Sequence, residues 1–138
     1  MIDTLKLVCT ALLSFLIMDY VWLNVIAKNF YINQLASLGR IENGQFRPIL
    51  WAAFLVYVLL ALGIVYFVLP SIAVDENLLS VFMRGAFLGL VIYGVYDLTN
   101  LSTLKNWPLV LAGADILWGS FATAAVSVLT QIVRTRFT

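Results

Sequence analysis

Four long apolar stretches, separated by short polar segments, set out the plan of the chain: about Leu5–Ile26, Ile49–Leu69, Leu78–Leu101 and Leu109–Ile132. Each approaches or exceeds the roughly 20 residues that a helix needs to cross a hydrocarbon core. The second carries no charge, follows Pro48 and stops at Pro70, so proline marks both ends where its missing N–H does least harm. The third carries Arg84 and Asp97. The fourth follows Trp107-Pro108 and gives way to Arg134 and Arg136. The first has one lysine ahead of it and no small-residue cleavage site behind it, which predicts a retained helix rather than a signal peptide.

The one long connection, residues 28–47, places Phe30, Tyr31, Leu35 and Leu38 at nearly helical spacing before Gly39. That spacing predicts a short helix in the headgroup region ended by a glycine cap, with an irregular loop as the alternative. Glu42-Asn43-Gly44 reads as a turn. The expected fold is therefore all-α: a single multi-pass, four-helix transmembrane bundle over residues 1–138, with a short interfacial helix between its first two spans.

Composition agrees, since 63% of the 138 residues are hydrophobic, 11% are charged and the mean hydropathy is +1.01. These values lie outside the soluble globular range. The lipid bilayer is the first partner implied. A formal charge of +1 with scattered Lys and Arg argues against nucleic acid. One cysteine, Cys9, and no histidine argue against an internal disulfide and against a zinc, haem or iron–sulfur site; no cofactor is indicated.

Three of the seven acidic residues interrupt the apolar stretches: Asp19, Asp97 and Asp115. A carboxylate at the bilayer centre costs roughly 2.5–3.5 kcal/mol on insertion scales, so it calls for a partner, a water-filled cavity or a task. Four crossings run the first and third helices one way and the fourth the other. At 1.5 Å per residue Asp19 then lies ~10 Å from the end of its helix, Asp97 ~6 Å from the end of its own, and Asp115 ~10 Å past the start of its own. All three fall in the same half of the membrane, on the side of Lys105.

Two aspartates open a shared pattern: Asp19-Tyr20-Val21-Trp22 and Asp115-Ile116-Leu117-Trp118. Trp22, near a helix end, suits the aromatic belt. Trp118, ~15 Å into its helix, needs an N–H partner or a ligand to stack on. Gly85, Gly89, Tyr93, Asp97 and Asn100 share one face of the third helix, and Gly119, Thr123 and Ser127 form a small-residue row on the fourth. Both rows read as packing seams. Asp97 and Asn100 read equally as site residues or as helix-end polar groups. Arg84 lies ~20 Å from Asp97 along the same helix and snorkels to lipid phosphate.

Tyr96-Asp97-Leu98-Thr99-Asn100, the following Thr103-Leu104 with Trp107-Pro108, and Asp115 to Gly119 set beside Asp19 to Leu23 resemble a family of small bacterial integral membrane proteins known as domain of unknown function 2177. The resemblance covers nearly the whole length and implies a bacterial inner-membrane location, with these motif positions as the functional residues. It brings no activity, cofactor or ligand.

The candidate ligand-binding or proton-exchanging residues are Asp19, Asp97, Asp115, Asn100, Trp118, Trp22, Tyr93 and Tyr96. Binding or transport of a small protonatable or cationic amphipathic ligand is the first expectation. Lys6, Arg84, Arg134 and Arg136 on one side balance Lys28, Arg40, Arg47 and Lys105 on the other, so loop charge assigns no orientation. That balance, with four helices and an acidic residue in the first, is similar in layout to small multidrug transporters, and a second copy of the chain is a candidate partner. The second expectation is a membrane enzyme in which paired aspartates divide acid and base roles. Tyr96-Asp97 and Gly113-Ala114-Asp115 are similar to the paired motifs of intramembrane aspartyl proteases, with the glycines out of register. A hard-cation site from Asp19, Asp97, Asp115 and Asn100 has the right ligand type without diagnostic spacing. The third expectation is a structural module.

Overall fold

The computed structural model describes residues 2–137, the side chains of residues 2 and 137 excepted. Helix α1 spans Ile2–Val21 and continues as a π turn over Trp22–Ile26. Helix α2, Lys28–Gln34, follows directly, and then a two-stranded hairpin pairs β1, Ile41–Glu42, with β2, Gln45–Phe46. Helix α3, Leu50–Gly63, extends through a π turn over Ile64–Val68 and a 3-10 turn over Leu69–Ser71. Helices α4, Leu78–Thr103, and α5, Leu109–Phe137, complete the chain. Four helical runs are long and apolar enough to cross a membrane: Asp3–Ile26, Leu50–Ser71, Leu78–Thr103 and Leu109–Arg136. The chain is an all-α multi-pass bundle.

Helix α1 packs against α3 and α5, α5 packs most extensively against α4, and the π turn of α3 reaches α4 and closes the ring. Ala11, Phe15 and Asp19 are buried in a row at intervals of four along α1, so the row that fills the core also delivers a carboxylate to it. Phe15, Ile64, Val81, Ala122 and Val126 fill the middle. Leu13, Ile17, Leu59, Phe87 and Leu117 face outward, as lipid-facing positions must.

Lipid tails are as apolar as leucine, so helix association here rests on close packing rather than on a hydrophobic drive. The α4–α5 seam shows how the small residues supply it. A Cβ on Gly85 would stand 2.9 Å from the Ala124 Cα, and one on Gly89 would stand 2.8 Å from the Ser120 Cα. One on Gly119 would enter the Tyr93 ring. Thr123 and Ser127 spend their hydroxyls on the carbonyls of Gly119 and Thr123, both at 2.7 Å, and present no unsatisfied polar group to the seam.

Far from the carboxylates, α5 clamps the end of α3. Gln131 donates to the carbonyls of Ala73 and Val74 at 3.0 and 2.8 Å, and Arg134 donates to that of Leu69 at 2.8 Å. The carbonyls that the end of a helix leaves unpaired thus find donors, and a cation sits where the helix dipole favours it. Asn77 caps α4, its side chain accepting from the N–H groups of Leu79 and Ser80.

The connection after α1 departs from the sequence reading in two ways. Gly39 has no left-handed backbone and is not the cap; α2 ends at Gln34 with Leu35 as its C-cap, whose N–H bonds the Tyr31 carbonyl, and the Gly39 N–H closes the following turn on the Leu35 carbonyl at 2.6 Å. The predicted turn is the tip of a hairpin in which Asn43 and Gly44 both adopt positive φ, 52° and 70°, the geometry that an Asn-Gly pair tolerates between two strands.

Candidate functional site

The π turn after α1 inserts one extra residue per turn just where Trp22 leaves the helix, and the Ala27 N–H reaches back to the Trp22 carbonyl at 2.7 Å. The chain reverses into α2, which folds over the bundle end and buries Tyr31. Tyr31 stands at the centre of the site. Its hydroxyl donates to Asp115 Oδ1 at 2.6 Å and accepts from Trp22 Nε1 at 3.2 Å. The Trp22 ring lies flat on that of Trp118, with centroids 4.3 Å apart and planes 4° from parallel. Trp118 in turn donates from Nε1 to Asp19 Oδ1 at 2.8 Å. The midplane indole therefore has both an N–H partner and a stacking partner, the latter supplied by Trp22.

Tyr57 of α3 also stands beside Asp19. Asp97, 0% exposed, accepts from Trp107 Nε1 at 3.3 Å, and its carboxyl group lies within hydrogen-bond reach of that of Asp115. Asp97 Oδ2 is buried and receives no donor from the protein. Two carboxyl groups are both pure acceptors when ionised, so a hydrogen bond between them requires one proton held in common. Among the described residues, the three carboxylates take their hydrogen bonds from indole and phenol groups, and none forms an ion pair.

Of the residues singled out in the sequence, Asp97 and Asp115 meet directly. Asp19 stands one relay away, through Trp118, Trp22 and Tyr31. Tyr93 packs against Gly119 within the site's aromatic wall. Asn100 lies beside Tyr96, which is half exposed with its ring edge-on to Trp107. Among the described residues no three acidic, histidine or cysteine side chains gather closely enough to hold a metal ion.

Two contributors were not marked by the sequence, Tyr31 and Tyr57, while Trp107 entered only through the family resemblance. Tyr57 carried the faint signal of a hydroxyl in an otherwise charge-free span. Burial, with Asp115 beside it, pushes the Tyr31 phenol above its ordinary pKa, so it stays a neutral donor. Tyr31→Phe leaves the Trp22 N–H without an acceptor and Asp115 without this donor. The expected cost is about 1–3 kcal/mol, seen as a lower melting temperature in detergent; an unchanged melting temperature would show that the α2 cap contributes nothing.

Compared with known proteins, residues 4–132 match the family described as "Predicted membrane protein (DUF2177)". The chain belongs to that family. No curated protein and no solved structure matches it. Family membership agrees with the four spans and assigns no reaction to this DUF2177 protein, so its chemistry is argued from the geometry above.

Proposed function

We propose that this protein binds a small cationic or protonatable amphipathic ligand in a bacterial inner membrane and exchanges it against protons held by Asp19, Asp97 and Asp115. One observation carries the reading: three carboxyl groups inside the bundle have only neutral donors around them. Neutral donors orient a carboxylate without cancelling its charge. In a low-dielectric setting that charge is balanced either by a proton or by a cation from outside, and the two compete for the same oxygens. The aromatic surround of Trp22, Trp118, Tyr31 and Tyr93 suits an organic cation, which gains both from the carboxylates and from ring faces. The short helix α2 forms the movable wall, since lifting Tyr31 from Asp115 frees one carboxyl oxygen at a single step.

Tetraphenylphosphonium, a permanently charged apolar probe, tests the reading in purified protein. A Trp51→Phe background removes an indole that is 70% exposed to lipid, leaving Trp22, Trp107 and Trp118 to report from the site. Saturable quenching that weakens as pH falls is expected, because protons and the probe compete. Binding that ignores pH, or no saturable binding of this or smaller organic cations, rejects the proposal.

The Asp97–Asp115 contact favours a second reading, a membrane enzyme in which one carboxyl group gives a proton while the other takes one. Hydrolysis of a lipid or peptide by the purified protein, lost in Asp97→Asn and Asp115→Asn alike, would move the account to that reading.

A further inference from the structure

At the end of the bundle opposite the carboxylates, the surface between α3 and α4 holds a groove of about 670 Å³. Phe67 and Val68 of α3 and Met83, Phe87, Leu88 and Val91 of α4 give it apolar walls. Two hydroxyls, Ser71 and Ser80, and one cation, Arg84, break that lining. Ser71 and Ser80 lie near the helix ends, in the 3-10 turn of α3 and the first turn of α4, where headgroups begin.

Arg84 lies ~9 Å along α4 from Leu78, below the helix end and inside an apolar span. It is exposed, and among the described residues it has no ion pair or hydrogen bond, although Asp75 and Glu76 occupy the adjoining loop. An arginine at such a depth costs several kcal/mol unless an anion or water meets it. Among the described residues no anion pairs with it, whereas the phosphate of a lipid approaches from the side that Arg84 faces.

We propose that this groove is a binding site for one anionic phospholipid: the phosphodiester sits on the Arg84 guanidinium with the Ser80 hydroxyl as a second donor, and an acyl chain lies along Phe67, Phe87 and Val91. A guanidinium offers two parallel N–H groups to two phosphate oxygens, which gives the site orientation as well as charge. The volume lies within the roughly 300–1,000 Å³ of ordinary ligand sites. Zwitterionic lipids fit the walls equally well and differ in headgroup charge, so selectivity is assigned to Arg84 and occupancy to the walls.

Native mass spectrometry of the purified protein, after exchange with an equimolar mixture of phosphatidylglycerol and phosphatidylcholine of identical chains, reads both properties. The wild type is expected to retain phosphatidylglycerol about fivefold over phosphatidylcholine, the factor that one arginine near an anionic headgroup provides. Arg84→Lys should keep most of that preference, and Arg84→Gln should abolish it. Val91→Trp fills the groove and should lower retention of both lipids even if Arg84→Gln proves too unstable to purify. Equal retention by the wild type, an undiminished preference in Arg84→Gln, or full retention in Val91→Trp each overturns the proposal. Displacement of the lipid by glycerol phosphate alone would also overturn it, by showing a phosphate site without a lipid one.

Discussion

Asp115→Asn is expected to weaken tetraphenylphosphonium binding by about tenfold or more while moving the melting temperature by only a few degrees. The amide keeps what the fold uses: its oxygen accepts from the Tyr31 hydroxyl, now 2.6 Å from Oδ1, and its NH₂ donates to Asp97. What it removes is the negative charge that an entering cation would meet. Two unit charges ~4 Å apart interact by about 4 kcal/mol at an effective dielectric constant of 20, and even a third of that, about 1.4 kcal/mol, is a factor of ten in affinity. Parallel titrations and melts on Asp19→Asn, Asp97→Asn and Asp115→Asn separate the roles. A carboxylate that serves only as a bundle contact loses stability and binding together, and one that serves the ligand loses binding alone.

Gly89→Ala should produce a large loss of stability for a single methyl addition. Its Cβ would stand 2.5 Å from the Gly119 carbonyl oxygen and 2.8 Å from the Ser120 Cα, both of them backbone. Backbone cannot swing aside as a long side chain can, so α4 and α5 would have to separate along their whole seam. Overpacking of this kind typically costs about 1–3 kcal/mol, and the upper end is expected where two helix backbones meet. Gly94→Ala is the control, because nothing lies within 4 Å of its added methyl. Alanine should be neutral there or stabilise α4 by up to about 1 kcal/mol by reducing backbone entropy in the unfolded chain. Thermal unfolding in detergent measures both; equal melting temperatures for the two variants would contradict close packing at Gly89.

The four spans were legible because each is a long apolar run with its own punctuation, and the direction of successive helices converted sequence position into depth. That conversion brought Asp97 and Asp115 together, and Trp118 announced its need for a partner by lying at the midplane. The rest depended on contacts that a linear pattern does not carry. Tyr31 looked like one aromatic among several in a connecting segment, and only the reversal at the π turn after Trp22 carries it 84 residues away in sequence to Asp115. Trp22 has the same spacing from Asp19 that Trp118 has from Asp115, yet each indole serves the other half: Trp118 donates to Asp19, while Trp22 reaches Asp115 through Tyr31. The repeated motif marked the right residues, and only the packing of α1 on α5 shows that its members are exchanged.

On the function proposed above, Asp97 and Asp115 hold a proton between them that a cationic ligand displaces. Infrared difference spectroscopy on the purified protein, recorded as tetraphenylphosphonium is added, observes that proton through the carbonyl stretch of a protonated carboxylic acid. Loss of one such band and gain of carboxylate bands are expected on binding, with the change absent in Asp97→Asn and Asp115→Asn. A protonated-acid signal that stays unchanged while the probe binds, or a binding-induced loss of that signal that is undiminished in both variants, would exclude a proton held between these two residues.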